Sequence, residues 1–203
     1  TLTKYNIPKK PVIGFVGNWM EWVDVPTFLK SSNYLKNMTF LVVGKELMSK
    51  SLRRLKKEYP NVIFTGRIAH TEVAQLMNHM DICILPYKKA GVVKHLSVRK
   101  TFEYLAAGKP IIMSDSDLSD KSFLKEKQNI VSYEAENAKD LAEKINYLLN
   151  NKKLMHELSK NNLELSKRFS WEQRVIESRL LQILNTYTPS KKLPKSNVSI
   201  IIK

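Results

Sequence analysis

Residues 97–115 read SVRKTFEYLAAGKPIIMSD, and this stretch decides the fold. Ser97 is placed to cap a helix, and Leu105, Ala106 and Ala107 give that helix an apolar face to lay on a sheet. Gly108 stands where a helix ends in the left-handed conformation, and Pro110 follows closely enough to bar its continuation. The next residues, KPIIMSD, form a short apolar run of strand type. A helix, a tight glycine turn and a continuous apolar strand make the second half of a β-α-β unit.

The same alternation extends in both directions. Strand candidates are PVIGFVG (11–17), TFLVVG (39–44), NVIFTG (61–66), ICILPY (82–87), KPIIMSD (109–115) and NIVSY (129–133). Their near-continuous Val, Ile, Leu and Phe content is that of strands covered on both faces. Between them lie VPTFLKSSNYLKN, SKSLRRLKKEY, HTEVAQLMNHM, SVRKTFEYLAAG and KSFLKEK, each long enough for a crossover helix. The expected fold is therefore α/β: a parallel sheet of about six strands with helices on both faces. After Tyr133 the pattern turns helical. Asn137 caps AKDLAEKINYLLNN, a second helix carries Leu154, Leu158 and Leu165, and Ser170 with Gln173 opens a third that runs to about Tyr187. The expected organisation is a linker at 1–10, one folded domain at 11–187, and at 188–203 a linker leading to the strand-like VSIIIK of a further domain. The absence of a starting Met also fits part of a longer polypeptide.

Composition narrows the class. The 203 residues are 43% apolar, enough for one domain with a core. No apolar run reaches the roughly 18 residues of a membrane span, and the N-terminus has no apolar stretch of signal-peptide type. The lone Cys83 excludes an internal disulfide and sits in ICILPY as a core residue. A net charge of +15 favours anionic partners: nucleic acid, acidic lipid, an anionic glycopolymer or a phosphorylated small molecule. His70, His79, His95 and His156 lack metal-ligand spacing and read as surface or packing residues. No Walker loop, GxSxG, GxGxxG or helix-turn-helix pattern is present, which argues against a dehydrogenase and against groove-reading DNA binding.

Open parallel sheets bind ligands at the carboxyl ends of their strands, so the residues after each strand are the candidates. The first strand ends in Gly17-Asn18, where glycine permits close backbone approach or simply makes a tight turn. Gly44-Lys45 ends the second, with Lys45 offering charge to phosphate or to solvent. Gly66-Arg67-Ile68 ends the third, where backbone groups could read a base edge and Arg67 could reach phosphate or water. The helix start at Ser97, with free N–H groups, Arg99 and Lys100, is a diphosphate site with a mechanism. Glu103, one turn on, is near enough to accept hydrogen bonds from ribose hydroxyls.

RKTFEYLAAGKPII, preceded by DICILPY and FTGRIAHTEVAQLMNHMD and opened by IGFVGNWMEWVD, closely resembles the C-terminal domain of GT-B glycosyltransferases of the group 1 type. The resemblance covers about 11–187 and implies a Rossmann-like domain that binds the nucleotide diphosphate of a sugar donor. It matches Glu103 to the ribose-holding glutamate, and Leu96, Ser97, Val98 and Arg99 to the loop whose N–H groups meet the diphosphate. It matches Arg67 and Ile68 to the base-reading turn, and Gly17 and Gly44 to glycine turns of the donor cleft. Two positions differ from the family pattern. His95 stands where many members have a glutamate that contacts the donor sugar, and NWMEWVD lacks the Arg and Lys that many carry after the first strand.

The expected activity is hexosyl transfer from a nucleoside-diphosphate sugar to a glycan or lipid-linked acceptor, in cell-surface polysaccharide or glycoconjugate synthesis. Arg99 and Lys100 stabilise the departing diphosphate, and no metal or cofactor is required. The acceptor enters through a domain outside this chain. A non-catalytic sugar-nucleotide or glycan-binding module and a sugar-nucleotide epimerase share the fold and stay open as alternatives. The expected location is cytoplasmic, with peripheral contact to acidic membrane at the inner face as a further option. Lys45, Lys50, Arg53, Arg54, Lys56 and Lys57, on and just before one crossover helix, would supply the charge for that contact, on several of its sides and not as a groove-reading stripe.

Overall fold

The computed structural model describes residues 3–8, 11–44, 52–89, 99–116 and 123–169. Six strands are present: β1 Val12–Val16, β2 Thr39–Val43, β3 Val62–Phe64, β4 Ile82–Leu85, β5 Ile111–Ser114 and β6 Ile130–Tyr133. They form one all-parallel sheet in the order β3-β2-β1-β4-β5-β6. Every residue of β1, β2, β4 and β5 is buried, as the continuous apolar runs required. Four helices connect strands: α1 Val25–Ser32, α2 Leu52–Glu58, α3 His70–Asn78 and α4 Arg99–Ala106. Because successive crossovers keep one hand, the leftward path through β2 and β3 and the rightward path through β4 to β6 put their helices on opposite faces. Two helices close the described chain, α5 Ala138–Asn150 and α6 Lys152–Lys167. The chain divides into two compact units, Thr1–Leu163 and Glu164–Lys203; only 164–169 of the second are described, covering the last turn of α6.

Local chemistry sets the helix ends. Asp24 precedes α1, and its Oδ1 accepts the Thr27 N–H at 3.2 Å. Asn137 caps α5 as expected, its Oδ1 accepting from the N–H groups of Lys139 and Asp140 at 3.1 and 3.0 Å. Gly108, at φ 61°, ends α4 in the left-handed region. The described part of KSFLKEK, residues 123–127, departs from its expected crossover helix. Residues 127–129 form a turn in which Lys127 takes φ 57° and donates its N–H to Ile130 O at 2.7 Å. A second bond, from Lys125 N–H to Asn129 Oδ1 at 3.3 Å, closes the same turn and leaves no room for a helical repeat. The helix expected from Ser170, the N-cap at Ser97 and the VSIIIK strand fall outside the described residues.

The core centres on β1. Phe28 of α1 packs between Phe15 of β1 and Phe40 of β2, with ring centroids 6.2 and 5.2 Å away. Gly14 lets α3 end directly against the strand: a Cβ there would stand 1.9 Å from Met80 Sδ. Asp81 starts β4 by gripping β1, since Val12 N–H donates to its Oδ2 at 2.7 Å while the Asp81 N–H donates to Val12 O at 2.8 Å. Cys83 is fully buried in β4, and that burial pushes its thiol pKa up, so it stays protonated. At the other end of β1, the Val16 N–H donates to the phenol oxygen of Tyr104 at 2.8 Å. Tyr104 is itself fully buried, and burial raises its pKa well above the usual tyrosine value.

Tyr104→Phe would keep the ring and strip the acceptor from a buried N–H. We expect a loss of about 1–3 kcal/mol, read as a lowered denaturant midpoint with unchanged slope. An unchanged midpoint would show that Val16 finds another partner.

Candidate active-site cleft

Winding reverses between β1 and β4, so the connections leaving those two strands diverge and open a gap at their carboxyl ends. The loop after β1 is strapped to the exit of β4. Asp24 N–H donates to Pro86 O at 2.8 Å, Lys88 N–H donates to Trp22 O at 3.1 Å, and Val23 pairs with Tyr87 in an antiparallel bridge. Nothing in NWMEWVD brings a cation here. Trp19 instead packs on Phe64 at the end of β3, with centroids 6.1 Å apart, and Asp24 is spent as the α1 cap.

The floor of the gap is backbone. Gly17 N–H donates to Val43 O at 2.8 Å, and Gly44 N–H donates to Gly66 O at 3.2 Å, carrying the sheet one rung beyond the strands without side chains. Gly44 takes φ 139°, and a Cβ on it would lie 2.1 Å from Gly17 O. Gly66 also has positive φ, 68°, with open space around its Cβ position. Only glycine suits the first of these, both in conformation and in space.

Over this floor lies a cleft of about 360 Å³, within the range of small-molecule sites. Its walls include Gly17, Asn18, Gly44, Arg67, Ile68 and Lys100, six of the residues proposed from sequence, brought from four different connections. Val16, Val43, His70 and Val73 also line it. Of these, His70 was read from sequence as a surface or packing residue. The available signal was its position, at the start of α3 directly after the Gly66-Arg67-Ile68 turn.

Glu103 stands beside the cleft on α4 through its partner. Lys100 Nζ donates to both carboxylate oxygens of Glu103, at 2.8 and 2.7 Å. Glu103 is 42% exposed and Lys100 26%, so the pair is reachable by a ligand. Arg99 is exposed at the start of α4 and is not among the residues lining this cleft. Lys45, His95, Leu96, Ser97 and Val98 fall outside the described residues. The arrangement offers a cation and a carboxylate at one end, a glycine floor in the middle, and the Arg67–Ile68 turn at the other. That set suits a long, anionic, hydroxyl-bearing ligand lying across the strand ends.

Residues 10–151 match the family model described as "Glycosyl transferases group 1". An N,N'-diacetylbacillosaminyl-diphospho-undecaprenol alpha-1,3-N-acetylgalactosaminyltransferase of Campylobacter jejuni is 29% identical over 183 residues, covering 88% of this chain and 45% of that protein. The chain thus spans less than half the length of that relative. Among solved structures, a sucrose-phosphate synthase from Thermosynechococcus elongatus superposes with TM-score 0.74 at 20% identity, over 94% of this chain and 49% of that one. Anabaena Alr3699/HepE, solved with UDP-glucose, superposes with TM-score 0.71 at 16% identity, over 91% of this chain and 51% of that one.

Gly44→Ala tests the floor. Positive φ and the clash with Gly17 O together should cost roughly 2 kcal/mol or more, against about 1 kcal/mol for Gly66→Ala, where only the backbone conformation is unfavourable. Equal losses in chemical denaturation would mean that the Gly17–Gly44 contact carries no constraint.

Proposed function

The chain belongs to the group 1 glycosyl transferases, and from that premise we propose that it is the donor-binding half of such an enzyme, transferring a sugar from a nucleoside diphosphate to a glycan or lipid-linked acceptor. The observation that carries this reading is the cleft at the strand reversal, with the Lys100–Glu103 pair at one end and the Arg67–Ile68 turn at the other. The diphosphate lies at the start of α4, where Lys100 meets it and the exposed Arg99 adds its charge from outside the cleft lining. Glu103 accepts from the ribose hydroxyls, and the main chain at Arg67 and Ile68 meets the base. As the glycosidic C–O bond breaks, negative charge grows on the diphosphate, and fixed donors and cations at α4 stabilise it most at that moment. The acceptor and any catalytic group beyond this chain come from the remainder of a longer enzyme, on the far side of the cleft.

The pairing of Lys100 with Glu103 gives donor binding a condition. Each is the other's partner without ligand, so a donor must replace one internal ion pair by two external contacts. A diphosphate draws Lys100 away and releases Glu103 for the ribose. A nucleoside offers nothing to Lys100 and has to compete with it for Glu103.

The exposed Arg53, Arg54, Lys56 and Lys57 of α2 support a second element of this reading, peripheral contact with acidic lipid at the cytoplasmic face of a membrane. No helix among the described residues is long and apolar enough to cross a membrane. Cosedimentation with acidic but not neutral vesicles, weakening as salt rises, is the expected result; equal partition to both would remove this element.

Calorimetry tests the site. UDP or GDP should bind more tightly than its nucleoside, and Glu103→Gln should weaken diphosphate binding by roughly 1.5–3 kcal/mol, the range for hydrogen bonds to a charged group. Lys100→Met should weaken the diphosphate and strengthen the nucleoside. Equal affinity for diphosphate and nucleoside in the unaltered chain would overturn the donor site.

A further inference from the structure

The cleft does not end at the Arg67–Ile68 turn. Arg67, Ile68 and His70 also line a second cavity, of about 720 Å³, on the other side of that turn. Its outer wall comes from the segment ahead of β1. Thr3–Tyr5 forms a single 3-10 turn there, and Lys4 and Tyr5 both line the cavity. The turn is tied to α3: Lys4 Nζ lies 2.6 Å from Glu72 Oε1 and 5.2 Å from the centroid of the Tyr5 ring. The Glu72 hydrogen bond raises the Lys4 pKa, and Lys4 in turn lowers that of Glu72, so both stay charged across neutral pH.

We infer that Thr3–Tyr5 is the outer wall of the nucleobase subsite, and that the base of the donor lies between Tyr5 and the Gly66–His70 turn. The inference rests on the donor reading above. Lys100 and Glu103 fix the phosphate and ribose beside β1 and β4. The turn after β3 is two further strand spacings beyond β1, roughly 10 Å, which is where the far end of an extended nucleotide falls. A flat heteroaromatic ring resting only on a backbone turn leaves its other face in water. The half-buried Tyr5 supplies an aromatic surface opposite the turn, which removes that second face from solvent. The cavity has room for a purine as well as a pyrimidine. The tie holding the wall is an exposed ion pair, with Lys4 59% and Glu72 26% exposed, and such pairs contribute little stability.

The test measures binding of UDP, GDP, uridine, guanosine and inorganic pyrophosphate to the 203-residue chain. Tyr5→Ala should weaken both nucleotides about tenfold, the loss expected for an aromatic wall against a base, and leave pyrophosphate unchanged. Tyr5→Phe should stay within about twofold of the unaltered chain, since the ring provides the wall. Glu72→Gln, a surface change that frees the wall without removing it, should weaken both nucleotides to an intermediate degree and keeps the test open if Tyr5→Ala unfolds. Glu103→Gln runs in parallel. If Glu103→Gln weakens the nucleotides while Tyr5→Ala and Glu72→Gln do not, the wall is overturned and the donor site stands. If the unaltered chain binds neither nucleotide better than its nucleoside, the donor site itself falls. Equal weakening of nucleotides and pyrophosphate by Tyr5→Ala would also overturn the wall, since it would show a general loss of the cleft.

Discussion

A parallel sheet wound in both directions from its middle cannot cover its own strand ends at the point of reversal. In this chain that point lies between β1 and β4, and the rest of the molecule is arranged around keeping it open yet rigid. Asp81 locks the amino ends of the two strands together. The Tyr104 phenol, from the helix that follows β4, holds the carboxyl end of β1. The loop that could collapse into the gap is instead strapped to the exit of β4 by two backbone hydrogen bonds that make one antiparallel bridge. The cleft is thus a consequence of topology, while its shape depends on a few buried polar contacts whose partners lie far apart in sequence.

The division between what sequence revealed and what it hid follows from that distinction. Continuous apolar runs announced β1, β2, β4 and β5 because strands buried on both faces cannot tolerate alternation. Gly108 and Asn137 announced helix ends because their chemistry acts within a few residues. Glycines after successive strands pointed to the cleft floor for the same reason. The bond between Val16 and Tyr104 spans 88 positions, and no local pattern betrays it. His70 is exposed, as expected of a surface histidine, and it reaches the cleft lining because α3 begins there. KSFLKEK has helical composition, but a helix needs a continuing repeat, and the Lys125–Ile130 turn interrupts it. NWMEWVD was read as lacking the cations common after the first strand. Its Trp19 and Asp24 answer to packing and capping, and among the described residues the cations of the cleft are Lys100 of α4 and Arg67 of the turn after β3.

Electrostatics in the cleft is economical. Lys100 and Glu103 neutralise each other, so that pair adds little to the positive charge of the unliganded cleft. Much of the remaining charge sits on outward-facing helix positions such as Arg53, Arg54, Lys56 and Lys57. Attraction of anions to the molecule at large and recognition of a particular anion in the cleft are therefore handled by separate residues. The first responds to salt over a Debye length, the second much less.

Cys83 is the lone cysteine of the chain, fully buried in the central strand β4 and held as the thiol. The folded surface is therefore blank to maleimides and other thiol probes. A cysteine introduced anywhere on that surface becomes the one site a spin label or fluorophore can find, with no background mutation needed. The same residue reports the opposite condition unprompted: a chain that takes up label at Cys83 has opened its sheet. Few domains offer a silent exterior for distance spectroscopy and an internal marker of unfolding in the same unmodified sequence.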